Sequence, residues 1–191
     1  MVNTLNRNKQ SSLTEKLANL EALQRLLITN EQKLIVDCRE DQEIEERIDN
    51  ILQQDKRNLK IIQEVIQAFS DSPEPQPRMK QFIDQVEEMM AERQISLYEK
   101  VAKHERLKHQ QVMIGLLLHK AAQVLGKDIE NAIAPLNQVN FDNRAHQEQL
   151  KGISLILGTR EITGKDLDRS IWGQADDAIA AMKGVFGSFT H

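Results

Sequence analysis

Apolar residues recur every three or four positions along most of this chain, which is the spacing of amphipathic helices. In the first such stretch they stand at positions 13, 17, 20, 23, 27, 34 and 38, and a second stretch shares one isoleucine-rich face from Ile44 to Phe69. The pattern is clearly interrupted at SDSPEPQP, residues 70–77, where three prolines end any helix. The spacing therefore predicts an all-α protein with one proline-rich linker.

The order of the helical stretches predicts a four-helix bundle. Asp37 to Glu40 is the expected first turn, and residues 95–127 and 129–158 are the expected last two long helices. Residues 78–93 form a shorter amphipathic stretch of about four turns, long enough to carry the chain from one end of a bundle to the other. A second interpretation makes 78–93 a docking helix for another subunit, so a homodimer stays open. Residues 1–11 are expected to be disordered, 12–158 to form the bundle, and 159–191 to form a C-terminal extension with a helix at 167–183.

Composition limits the function classes. The net charge is -4 with no basic block, and only 4% of residues are aromatic. We therefore expect no nucleic-acid partner, because phosphate binding and base stacking have little support. The single cysteine, Cys38, excludes an internal disulfide and is interpreted as a small core residue. No stretch has the length of a signal peptide or a membrane span, so a cytoplasmic location is expected.

Polar residues interrupt the apolar faces of all four long helices. On a helical wheel, Glu105 and His109 share a side with Tyr98 and Met113, whereas His104 points away and is expected at the surface. Burying an ionised carboxylate costs several kcal/mol unless it is paired or bound to a metal. The residues expected to face inward are Gln24, Glu31, Asp55, Asn58, Glu105, His109, Asn143 and His146.

The depths of these residues in the bundle support one shared layer. Counted from the reversal at Gly126, His109 and His146 are almost equally distant and should lie level in an antiparallel pair. Asp55 should lie level with Gln24, while Glu31 is expected about two turns away. Whether Glu31 shares the site is left open.

Three interpretations of the layer remain at this point. The first is a metal site with histidine and carboxylate ligands, in which Asn58, Asn143 and Gln24 support the ligands and an open position binds oxygen or peroxide. Its expected ligands are Glu31, Asp55, Glu105, His109 and His146. The second is a buried hydrogen-bond layer that fixes the register of the helices. The third is a small ligand, such as a haem held by His109 and His146, or an apolar molecule.

The stretch LLLHKAAQVLG…APLNQVNFDNRAHQEQLKG, together with the carboxylate and histidine layer, resembles cyanobacterial-type proteins of the hemerythrin-type HHE cation-binding and ferritin-like families. Ferritin-like di-iron proteins use Glu-x-x-His motifs. Here Asp55-x-x-Asn58 and Asn143-x-x-His146 stand at that spacing, and Glu105-x-x-x-His109 reverses the hemerythrin order.

The resemblance implies an all-α, ferritin-like four-helix bundle with an extra crossover helix and a C-terminal helix. It also implies a bound divalent metal, with iron first, and a role in oxygen, peroxide or metal stress. The competing expectation is a non-catalytic interaction or ligand-carrying bundle with a structural polar layer. Whether the protein is an enzyme is left open.

Overall fold

The computed structural model describes residues 7–69, 74–168 and 170–187, with side chains placed over 11–69, 74–168 and 170–183. Within these ranges the chain is an all-α helical bundle, which confirms the predicted fold class. The helices are α1 (Arg7–Cys38), α2 (Gln42–Gln67), α3 (Pro77–Ala91), α4 (Leu97–Leu125), α5 (Lys127–Ile133), α6 (Leu136–Thr163) and α7 (Ser170–Gly187). None of the described helices is long and apolar enough to cross a membrane.

Four long helices, α1, α2, α4 and α6, pack as a bundle in which each contacts two of the others. Gln111 on α4 bonds the carbonyl of Leu20, and His104 lies beside Glu31, so α1 and α4 are antiparallel. Since α1 is also antiparallel to α2, helices α2 and α4 run in the same direction and need a crossover between them. Helix α3 packs along α1 and provides it, which is the connectivity of ferritin-like bundles.

Local capping explains where two of the long helices begin. The Asp41 side chain accepts a hydrogen bond from the Ile44 amide at 3.3 Å at the start of α2. Ser96 and Glu99 form a capping box at the start of α4. Gly126 ends α4 with φ +115°, a conformation that favours glycine.

Several predicted boundaries were wrong. Helix α1 begins at Arg7, so residues 7–11 are helical and a cap at Ser12 is excluded, while residues 1–6 lie outside the described part. The expected helix over 129–158 is two helices, α5 and α6, because Pro135 has no amide hydrogen to continue the first one. Helix α6 also continues past Gly158 to Thr163.

The core consists of two apolar clusters separated by polar side chains. One cluster surrounds the α1–α2 turn and includes Ile44, Ile48 and Val101, and the other contains Leu17, Ile62 and Leu118 near the opposite end. Between them every long helix contributes buried polar groups. The two apolar clusters stabilise the bundle through burial, whereas the layer between them consists of buried polar side chains.

Helix α7 docks on α6 through Trp172, the chain's single tryptophan. The ring is buried, and the Arg47 guanidinium lies 3.8 Å from its centroid. Gly152 makes room for it, because a Cβ at that position would stand 2.9 Å from Cζ3 of the ring. A small residue on α6 therefore sets how closely α7 approaches.

We expect Gly152→Ala to push the Trp172 ring away and to cost about 1–3 kcal/mol of stability through overpacking. Intrinsic fluorescence should shift to the red, since the indole becomes more exposed. Gly173→Ala is the matched control, because a Cβ there would have no described atom within 4 Å apart from the backbone of its own helix. An unchanged emission spectrum in Gly152→Ala would contradict this account of α7 docking.

Candidate functional site

A buried lysine lies at the centre of the polar layer. The Lys108 side chain on α4 is fully buried, and its Nζ lies 3.0 Å from Glu31 Oε1 on α1. Lys108 also forms an ion pair with Asp55 on α2 and lies 3.3 Å from His146 Nδ1 on α6. One ammonium group therefore contacts all three of the other long helices.

Two histidines complete the cluster. His104 Nε2 lies 3.0 Å from Glu31 Oε1, one turn of α4 before Lys108. His146 Nδ1 lies 3.2 Å from Asp55 Oδ1. We call these five residues, namely Glu31, Asp55, His104, Lys108 and His146, the lysine cluster.

Amides extend the layer beyond the lysine cluster. Gln24 donates to the Asp55 carbonyl oxygen at 3.2 Å, so these residues are level, as predicted. Gln111 in turn donates to the Gln24 side-chain oxygen at 2.9 Å. Asn143 donates to the Val139 carbonyl oxygen of its own helix, and Asn58 is fully buried beside them. The layer therefore links all four long helices by hydrogen bonds.

Burial and proximity set the ionisation of the two carboxyl groups differently. Burial, with the nearby charge of Asp55, raises the pKa of Glu31 well above its usual value. Burial acts against ionisation of Asp55 too, but the Lys108 charge and the His146 hydrogen bond outweigh it and lower the pKa of Asp55. Glu31 is thus the carboxyl group that resists ionisation, and Asp55 is the ionised partner of Lys108.

Burial and neighbouring charges also set the pKa values of the basic groups. Burial favours loss of the Lys108 proton, but Asp55 and Glu31 outweigh burial and raise the pKa of Lys108. Burial and the Lys108 charge lower the pKa of His104 to about 3, and they also lower the pKa of His146. At neutral pH both histidines of the lysine cluster are therefore neutral, and Asp55 and Lys108 form an ion pair.

The residues of the lysine cluster, in the arrangement described, do not form a metal site. The Lys108 ammonium lies against both carboxyl groups, where a metal would need its ligands. Among the described residues no group of three or more histidine, cysteine, aspartate or glutamate side chains could hold a metal. The expected iron or other divalent metal therefore has no ligand set in this part of the chain, and the expectation of haem stays a prediction.

The placement of the predicted residues on α4 was wrong. His109 is exposed, and Glu105 is half-buried and accepts a hydrogen bond from Gln147 at 3.0 Å. The buried polar residues of α4 are instead His104, Lys108 and Gln111. The depth count was nearly right, since Lys108, one position from His109, is the residue that meets His146. The predicted inward residues on the other helices are buried: Gln24, Glu31, Asp55, Asn58, Asn143 and His146.

One pattern in the sequence could have identified the buried face of α4 correctly. Val101, Gly115 and Ala122 lie on the buried side with Lys108, at helical spacing and with small side chains where helices approach closely. A Cβ at Gly115 would stand 1.9 Å from Asn140 Oδ1, so the contact with α6 needs glycine. Met113 and Leu117 make this pattern hard to recognise, because they are apolar but lie exposed on the opposite side of the helix.

The surface around the α1–α2 turn is strongly acidic. A cavity of about 970 Å³ there is lined by six carboxylates, with Arg160 as a cationic side chain opposite them. Arg160 pairs with Asp41 at 2.8 Å and with Asp166 at 2.6 Å. Cys38 also lines this cavity, and burial raises the pKa of its thiol to about 12, so it is not a ready nucleophile. The carboxylates are Asp37, Glu40, Asp41, Glu43, Glu46 and Asp166.

A second surface cavity is lined by more basic than acidic side chains. It is a cleft of about 390 Å³ between α4 and α6, which we call the α4–α6 cleft. Arg106 and Lys151 line it with the carboxylate of Glu105. Tyr98 lines the same cleft and is 38% exposed. The α4–α6 cleft therefore combines two cations and an accessible aromatic ring.

Comparison with known proteins gives one informative relative. The chain is 50% identical over 188 residues to a curated protein of Nostoc sp. (strain PCC 7120) named DNA nickase. The match covers 98% of this chain and 53% of the relative, so the chain spans about half of that protein's length. No family model matches, and no solved structure matches.

This relative contradicts two of our predictions. A metal-binding, iron-dependent stress protein and a chain without a nucleic-acid partner were both predicted, and the relative's name states an action on DNA instead. The second prediction depended on the net charge, an average that hides local groups of basic residues. The resemblance to hemerythrin-type and ferritin-like families stays a prediction, as no family model tests it.

Proposed function

We propose that this chain is a DNA-binding helical module of a DNA-nicking protein. The observation that carries the proposal is the 50% identity to a protein named DNA nickase, which extends over nearly the whole bundle. Because the match includes 188 residues, it covers all four long helices and not one motif.

The lysine cluster cannot itself contact DNA. Glu31, Asp55 and Lys108 have no accessible surface, and a phosphodiester is much too large to enter the packed layer. Its role is to hold the four helices in one register through the Asp55–Lys108 ion pair and the hydrogen bonds around it. Removing one member of a buried ion pair is strongly destabilising, so the layer specifies one arrangement of the helix surfaces.

DNA binding must therefore use the outside of the bundle. Part of the chain's negative charge surrounds the acidic cavity near Asp41, where phosphates are repelled. DNA affinity depends mainly on lysine and arginine side chains that neutralise phosphates and release counterions. The basic surface needed is thus local and lies away from the α1–α2 turn.

Fluorescence anisotropy with labelled single-stranded and duplex DNA tests the proposal. We expect salt-dependent binding of the purified chain, with affinity falling steeply as the salt concentration rises. Conversion of supercoiled plasmid to the open circle, measured beside a mock purification, shows whether cleavage also lies in these residues. Absence of salt-dependent binding to both DNA forms would contradict the proposed function.

A further inference from the structure

The α4–α6 cleft has the parts of a site for unpaired DNA. Arg106 comes from α4 and Lys151 from α6, so the two cations approach the cleft from opposite walls. A guanidinium and an ammonium facing one space suit a phosphodiester, since arginine can donate two parallel hydrogen bonds to phosphate oxygens. The charge and the shape of the cleft both favour an anion.

The cations of the cleft are available to a ligand. Arg106 is exposed and has no acidic partner in the part of the chain that the structure describes. Lys151 pairs with Glu148 at 2.6 Å, but both belong to one helix surface and such pairs contribute little. The Glu105 carboxylate is held by the Gln147 amide, so it does not neutralise Arg106 by direct contact.

A hydroxyl group in the cleft also lacks a partner. Ser154 lines the cleft, and its Oγ is buried without a hydrogen-bond partner among the described residues. Buried polar atoms are nearly always hydrogen-bonded, so an unsatisfied hydroxyl beside two cations indicates a ligand oxygen. This observation is independent of the charges.

Tyr98 adds an aromatic surface. Its ring is partly exposed, while Cδ2 and Cε2 lie against α6, where a Cβ on Gly158 would stand 3.1 and 3.0 Å away. Gly158 therefore lets the ring settle against the helix in a fixed position. Stacking on an aromatic side chain needs a base that is not paired in a duplex.

Resting on the proposed function, we propose that the α4–α6 cleft binds single-stranded DNA, with a phosphodiester between Arg106 and Lys151 and a base on Tyr98. A rotation of the Ser154 side chain out of its buried position lets the hydroxyl donate to a phosphate oxygen. A nicking protein needs access to one strand. The cleft contacts a phosphodiester and the face of an unpaired base at the same time, and a duplex does not expose these two groups together.

Helix α2 provides the matched control for electrostatics. Lys56, Arg57 and Lys60 are exposed within one turn and have no acidic partner among the described residues. Arg57 donates to Gln54 at 2.6 Å. This basic group has neither the tyrosine nor a cavity, so removing two of its charges measures the general effect of lost positive charge.

The test compares two double variants of the full chain by anisotropy with a labelled oligothymidine over a series of salt concentrations. Arg106→Gln with Lys151→Gln should weaken binding about tenfold or more and reduce the salt slope by about 0.7, which is one single-strand phosphate contact. Lys56→Gln with Lys60→Gln should change affinity less than about twofold, because these side chains lie outside the cleft. Circular dichroism melts of both double variants check that the bundle is intact.

Tyr98→Ala separates stacking from charge. We expect about tenfold weaker single-strand binding with an unchanged salt slope, and retention of affinity in Tyr98→Phe. Two results would overturn the assignment of the cleft and leave the proposed function standing. One is wild-type affinity in both the Arg106/Lys151 double variant and Tyr98→Ala. The other is an equal loss of affinity in the two double variants. Failure of the wild type to bind any DNA would instead refute the proposed function.

Discussion

Replacement of Lys108 by methionine is expected to lower the free energy of unfolding by about 3–5 kcal/mol, because the substitution leaves an uncompensated charge in the core. Lys108 contacts Glu31, Asp55 and His146 on three other helices, and all three lose their contact with the ammonium at once. Methionine retains most of the side-chain volume, so the loss reports the charge and not a cavity. Urea unfolding followed by far-UV circular dichroism measures it.

Lys56→Met is the control for this experiment, since Lys56 is an exposed lysine on α2. A surface substitution of this kind should stay within about 0.5 kcal/mol of the wild type. Adding Asp55→Asn to Lys108→Met should recover part of the loss, because both charges of the pair are then removed. A loss below about 1 kcal/mol in Lys108→Met would show that the ion pair is not the link between the helices.

The inward face of α2 was predictable from sequence for a physical reason. Ile44, Ile48, Ile51 and Ile62 define one narrow apolar stripe, so Asp55 within it had to be buried. Helix starts at Asp41 and Ser96 were predictable as well, because capping is a local interaction between residues three apart.

Helix α4 was not predictable in the same way. Its apolar residues, including Met113 and Leu117, are spread around the helix, so a wheel does not identify a single buried face. Lysine is also almost never fully buried without a partner, and the partners of Lys108 are on other helices. Nothing near Lys108 in the sequence shows that two carboxyl groups will meet it.

The candidate DNA cleft was hidden for a related reason. Arg106 and Lys151 are 45 positions apart in the sequence and become neighbours only because α4 and α6 pack side by side. Net charge counts Glu31, Asp55 and Lys108 too, although none of them faces solvent. A total of -4 therefore describes neither the acidic cavity nor the cleft.

Acidification from pH 6.5 towards pH 3 is expected to destabilise the wild type through His104, by up to about 4 kcal/mol. Burial lowers the pKa of this histidine to about 3 in the folded state, whereas its pKa in the unfolded chain is near 6.5. Below pH 6.5 the unfolded chain binds a proton that the folded chain does not. Its stabilising effect is therefore complete above pH 6.5 and is lost as the pH falls towards 3.

The other groups around His104 act with different signs. His146 also has a lowered pKa and adds to the loss, whereas the raised pKa of Glu31 means that acidification stabilises the folded state through that residue. The pKa of Asp55 is lowered, so its contribution is lost only below about pH 4. Lys108 stays protonated throughout because its pKa is raised. The total pH dependence is a sum, so a single-residue comparison is needed to isolate His104.

His104→Gln against His109→Gln provides that comparison. Glutamine retains a polar group beside Glu31 but cannot titrate, so between pH 6 and 4 the stability of His104→Gln should fall less steeply than the wild type by about 1.4 kcal/mol per pH unit. His109 is exposed on the same helix and lies outside the lysine cluster, so His109→Gln is the matched control for replacing a histidine by glutamine. Urea unfolding at intervals of pH gives the slopes. Parallel curves for wild type and His104→Gln would mean that His104 binds its proton as readily in the folded bundle as in the unfolded chain, and its assignment as a histidine kept neutral by burial would then be wrong.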